Sequence, residues 1–120
     1  MAARDRASQE GREGARTPGR RMPRDSIAGN RYLVLDYTAP WLVTSFDVRV
    51  TADRNVNVYA VPPEGLDEFH NGQRDFTLYS QSERKMRHAF HFKLGHRKPW
   101  HLIIENEDRG IARVNYSVLS

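Results

Sequence analysis

The 120-residue sequence contains no cysteine, so these residues offer neither a disulfide framework nor a thiolate metal site, and thiol-based nucleophilic catalysis is closed to them. Long apolar runs are missing as well. None approaches the roughly 20 residues that a bilayer-spanning helix needs, and the first residues lack the apolar core of a secretory signal peptide. No serine stands in a GxSxG elbow. Gly29, Gly65, Gly72, Gly95 and Gly110 are isolated turn glycines rather than parts of a phosphate-cradling loop. Without a catalytic constellation the chain is expected to be a non-enzyme that needs no cofactor, soluble and cytoplasmic, with no membrane partner.

Charge is present but unevenly placed. The net charge is +4, and residues 1–27 hold seven arginines against four acids, while residues 28–120 hold twelve basic residues against eleven acidic ones. The leading segment is Ala, Gly, Ser, Pro and Arg with hardly an apolar residue before Met22 and Ile27. Such a segment cannot bury enough surface to offset its ordering entropy, so residues 1–27 are expected to be a disordered arginine-rich tail. Arg16, Arg20, Arg21 and Arg24 are its candidate contacts to nucleic acid, through salt-dependent neutralisation of phosphates. The four interspersed acids and the lack of aromatic residues for base stacking weigh against that use.

From residue 28 onward the sequence alternates apolar with polar residues in short runs. Phe46, Val48 and Val50 share one parity, as do Val56, Val58 and Ala60, then Phe90, Phe92 and Leu94, then Trp100, Leu102 and Ile104, then Ala112, Val114, Tyr116 and Val118. Successive strand side chains point to opposite faces, so this period means strands with one buried face. Strands are predicted at 31–38, 42–51, 54–61, 75–81, 86–94, 99–105 and 110–119. Pro62, Pro63 and Gly65 interrupt the series. The stretch after them, 64–70, is predicted to be a short helical turn stopped at Asn71–Gly72, capping one end of the fold through Leu66 and Phe69. The expected domain, 28–120, is thus all-β: a small antiparallel β-sandwich of about seven or eight strands.

Five histidines occur between His70 and His101. If Gly95–Lys98 closes an ordinary hairpin, His91 and His101 come together on an exposed face, where with Glu105 they could hold a divalent ion. Arg87 and Lys93 share that face and would repel a cation, so no metal site is assigned. A binding surface is the stronger reading. Tyr59, Tyr79, Arg87, His91, Lys93, His101 and Arg113 all have the outward parity of their strands and suggest a basic, aromatic-spotted sheet face. Aromatic residues and arginine are the side chains that dominate binding energies at interfaces. The expected function is a noncatalytic interaction module recognising a protein partner through this face. The first alternative is a nucleic-acid-associated protein using the tail and the face, and the second is a metal-binding β-sandwich. Tyr32, Val34 and Tyr37 opposite Leu33 and Leu35 give the first strand two apolar faces, suited to a homodimer interface as well as to the interior.

The runs Asn55–Ser80, His88–Asn106 and Ile111–Leu119 resemble a small bacterial family known as domain of unknown function 1883. They share a strand ending in a variable loop, an aromatic segment with Asn71–Gly72, Trp100–His101 opening an apolar strand, and a final valine-rich strand. The likeness covers about residues 44–120. It implies a compact β-sandwich, in some members joined to Toll/interleukin-receptor-like domains, and hence a sensing or interaction role with no active site to carry over.

Overall fold

The computed structural model describes residues 4–5 and 24–120. Its strands are β1 (Arg4–Asp5), β2 (Arg24–Ile27), β3 (Arg31–Thr38), β4 (Thr44–Val61), β5 (Ser80–Leu94), β6 (Pro99–Asn106) and β7 (Ala112–Leu119), and its helix is α1 (Pro63–His70). All strand pairings are antiparallel and link into one sheet, ordered β1-β3-β6-β4-β7-β2 with β5 also on β4.

The 18-residue strand β4 sets the architecture. Its first half pairs with β7 over Asp47–Ala52, its second half pairs with β6 over Asn57–Val61, and β5 follows both halves along the opposite edge. The register to β5 shifts between Thr51 and Val56 and again between Val56 and Val58. Extra residues in a ladder bend and twist it. Arg84 takes the excess on β5 with a left-handed φ of 53°, and its N–H donates to Asn57 Oδ1 at 2.8 Å. The sheet folds over at this bend into two layers. The front layer is the C-terminal half of β5, the first half of β4, β7 and β2; the back layer is the N-terminal half of β5, the second half of β4, β6, β3 and β1. The result is a small antiparallel β-sandwich, as the alternation predicts.

Between the layers lies the main core. Leu33, Leu35, Phe46, Val48, Val50, Val56, Val58, Trp100, Leu102, Ile104, Val114 and Tyr116 are buried in it. These are the inward-parity residues of the sequence pattern. At about 25 cal/mol per Å² of apolar surface removed from water, this burial is the main force holding the layers together.

Four differences from the sequence-based expectation have local causes. The strands expected at 42–51 and 54–61 are one, because Ala52–Asn55 form the bulged bend rather than a reversing turn. Residues 75–79 are not a strand, and β5 starts at Ser80 and continues through the residues expected to separate two strands. β2 takes Arg24–Ile27, the end of the expected tail, into the sandwich: it pairs with β7, and Ile27 is fully buried. Arg4–Asp5 of that expected tail likewise pair with β3 as β1, and the rest of it, with Arg16, Arg20 and Arg21, lies outside the described residues.

The fourth difference concerns α1. Pro63 opens the helix with its φ already set, but the helix lies on the outer face of the back layer instead of capping an end. Phe69 and Phe76, with Leu66 and Leu78 at the margin, cover Val34, Tyr59, Val61 and Ile103 in a second core. Phe69 meets the rings of Tyr32 and Phe76 edge-on, at centroid distances of 4.8 and 5.2 Å. Tyr32 Oη lies 2.6 Å from His70 Nδ1. Glu68 Oε1 accepts from the Thr77 N–H at 2.7 Å, pinning the segment after the helix onto it. At the crossing point a Cβ on Gly65 would fall 2.1 Å from the Thr77 carbonyl oxygen, so only glycine fits.

Candidate binding surface

With the back layer covered, the uncovered outer face of the sandwich is that of the front layer. Inward Phe92 and Leu94 turn Arg87, His91 and Lys93 of β5 outward, and inward Ala112 and Val114 turn Arg113 of β7 outward. The register then aligns the rows. Arg87 lies opposite Thr51, Ala89 opposite Arg49, His91 opposite Asp47 and Lys93 opposite Ser45. On the far side Arg24 of β2 faces Asn115, and Ser26 faces Arg113.

Four of the expected surface residues, Arg87, His91, Lys93 and Arg113, therefore share one face, joined by Arg24 from the expected tail contacts. Arg49 completes the set. Asp47 lies 3.4 Å from Arg49, and Asp53 lies 3.7 Å from Arg113 while also accepting the Arg113 N–H at 2.9 Å. Arg87 and Lys93 have no ion pair among the described residues. The face is electropositive, and the sequence from Arg84 to Ile104 contains no Asp or Glu at all.

The other expected members are elsewhere. Tyr59 is 1% exposed beneath α1. Its hydroxyl donates to Glu83 Oε2 at 2.8 Å, with Glu105 Oε1 at 3.4 Å. Burial and these two carboxylates hold it firmly in the neutral form, raising its pKa. Tyr79 stacks on Phe92 at 5.7 Å at the rim of the main core, and its partial burial raises its pKa too, with Glu64 adding to the effect. His101 is half-buried on the back layer, where its Nδ1 lies 2.8 Å from Asp36 Oδ1. His91 and His101 consequently stand on opposite outer faces and do not meet, because Gly95–Lys98 joins the two layers instead of closing a hairpin within one. Among the described residues no three His, Asp or Glu side chains group together in a way that could hold a metal ion.

A second exposed feature adjoins Lys93 and escapes the sequence pattern. The connection from β3 to β4 presents Trp41, Leu42 and Val43, which are 64%, 72% and 60% exposed. It is bonded to the connection from β5 to β6: the His96 N–H donates to the Trp41 carbonyl and the Arg97 N–H to the Pro40 carbonyl, each at 3.0 Å, and the Ala39 N–H donates to the Lys98 carbonyl at 2.8 Å. His96 and Arg97 both have left-handed φ, 59° and 58°. This is the geometry of a mirror-image turn that normally selects Asn and Gly, so two large side chains here carry backbone strain. The signal available in the sequence was the apolar triplet after Pro40, which alternation alone assigns to the start of a strand.

One histidine is structural. His88 is buried, its Nε2 lies 2.8 Å from the Lys85 carbonyl and its Nδ1 2.7 Å from Ser82 Oγ. A carbonyl only accepts, so Nε2 carries the proton and Nδ1 accepts from the serine hydroxyl. Desolvation by burial is the main cause that lowers the His88 pKa.

These features define a two-layered β-module with one sealed and one bare face. No family model matches the chain, and no curated protein matches it. Among solved structures it is similar to the pre-peptidase C-terminal domain of collagenase from Bacillus anthracis, at 10% identity and a TM-score of 0.57, over 82% of this chain and 89% of that one. It is also similar to PirA, at 12% identity and a TM-score of 0.43, over 86% and 99% of the two chains. The first likeness is one of fold. No helix among the described residues is long and apolar enough to cross a membrane.

Proposed function

We propose that the protein is a noncatalytic interaction module that recognises an acidic protein surface through the bare face of its front layer. The observation that carries this reading is the asymmetry of the two outer faces. The back face is sealed by α1 and the segment after it, whereas the front face displays Arg24, Arg49, Arg87, His91, Lys93 and Arg113 with two acids among them. Planar rows of guanidinium groups favour bidentate pairing with carboxylates. A cytoplasmic setting suits a chain without cysteine.

Tyr59 and Tyr79 lie away from this face, which removes the stacking platform that single-stranded nucleic acid uses and favours a protein partner. Affinity capture with the full chain and with an Arg87→Glu/Lys93→Glu variant tests the reading. A discrete protein held by the parent chain and lost by the variant is the expected result. Nucleic acid in its place, released steeply as salt rises, would overturn it in favour of phosphate binding.

A further inference from the structure

The exposed loops at the end of the sandwich are not needed for the face described above, and they have their own chemistry. Trp41, Leu42 and Val43 are three consecutive apolar side chains in water. Loops normally bury such groups or do without them. Here the backbone holds them out: two interlayer connections are hydrogen-bonded to each other, and Gly95 lies too close to Val43 for any side chain. The strained turn at His96–Arg97 brings Arg97 beside them, its N–H bonded to the Pro40 carbonyl, and the Trp41 ring is edge-on to His96 at 6.0 Å. Beneath lies a rigid plug of rings, with Phe46, Phe92 and Trp100 in mutual contact at centroid distances of 4.9–5.6 Å.

From this juxtaposition we infer that Trp41–Val43 is a membrane-docking tip that inserts into the interface of an anionic lipid bilayer. The charge pattern selects the occupant. Arg97 and Lys98 flank the apolar triplet, bonded through their backbones to Pro40 and Ala39, and neither connection contains an acid. Cations at the level of a shallow apolar tip meet lipid headgroups, and tryptophan favours that same depth. A stable protein interface needs a broad complementary patch, whereas this feature is a three-residue projection. The absence of a membrane-spanning run bears on crossing a bilayer and leaves surface docking open. The inference is independent of the proposed protein-binding face.

The test is co-sedimentation of the full chain with phosphatidylcholine vesicles, with and without phosphatidylserine, alongside tryptophan emission. The chain has two tryptophans, and Trp100 is fully buried, so a change in emission reports Trp41. The expected result is binding to the anionic vesicles, a blue shift, and quenching by brominated acyl chains. Leu42→Asp should reduce partitioning by at least about tenfold, while Arg87→Glu/Arg113→Glu, which strikes the protein-binding face away from the tip, should leave the blue shift of the bound fraction in place. Far-ultraviolet circular dichroism and an unchanged unfolding midpoint establish that Leu42→Asp is folded. No binding to anionic vesicles overturns the inference. So does binding without a Trp41 shift or unaffected by Leu42→Asp, which would mean charge attraction alone, and so does a Leu42-dependent dimer that ignores vesicles.

Discussion

Gly95 lies so close to Val43 that a Cβ placed on it would fall 2.8 Å from Val43 Cα and 2.9 Å from Val43 N. Both contacts are to backbone, so the neighbour cannot yield by rotating a side chain. This pair fastens the β5–β6 connection to the β3–β4 connection and, with the three cross-loop hydrogen bonds, makes one rigid end of two loops.

Gly95→Ala should therefore destabilise the fold by about 1–3 kcal/mol, the usual cost of forcing a methyl group into a filled site. Urea unfolding measures it as a lower midpoint with an unchanged slope.

At the opposite end of the sandwich Asn106 plays the corresponding part. It is fully buried; its Nδ2 donates to the carbonyls of Gly110 at 2.7 Å and Ile27 at 3.0 Å, and its Oδ1 accepts the Asp108 N–H at 3.0 Å. Asn106→Ala removes all three ties, including the one to the carbonyl of buried Ile27, at a cost of about 1–3 kcal/mol. Hydrogen exchange should quicken first in β2, whose end the Asn106 amide holds.

Stability should depend on pH through His88. Its folded-state pKa is lowered from 6.5 by burial, so below that value the unfolded chain takes up a proton more readily than the folded one. The contribution of neutral His88 is fully present above pH 6.5 and is lost as pH falls through the window between 6.5 and the lower folded-state pKa. Urea midpoints measured through this window should fall on acidification. Replacement of His88 by glutamine should flatten that part of the profile.

Much of this architecture can be read from the chain. Strand β3 occupies the span its alternation predicts, Trp100, Leu102 and Ile104 point inward, and the helix lies where Pro63, Leu66 and Phe69 suggest. Alternation reports which residues share a side of a strand, and a bulge such as Ala52–Asn55 passes for a turn when only local pattern is read. It also cannot say whether the second side is covered. Tyr59 and Ile103 have the parity of exposed residues and are buried because α1, joined to β4 by Pro62 alone, turns back across the outer face of β4 and β6. The same limit applies to Gly95–Lys98, whose turn chemistry fits a hairpin but whose flanking strands belong to different layers. The hairpin reading sets His91 beside His101, whereas His91 lies opposite Asp47 on the front face.

Amine-reactive cross-linking and mass spectrometry of complexes captured by the full chain would locate the partner on the bare front face or away from it. The chain has three lysines, Lys85, Lys93 and Lys98. Of these Lys93 belongs to the front face and Lys98 to the loop end. Binding through the front face gives partner cross-links concentrated at Lys93 and abolished in an Arg87→Glu/Arg113→Glu variant. Cross-links confined to Lys98, or a Lys93 yield unchanged in that variant, would contradict it.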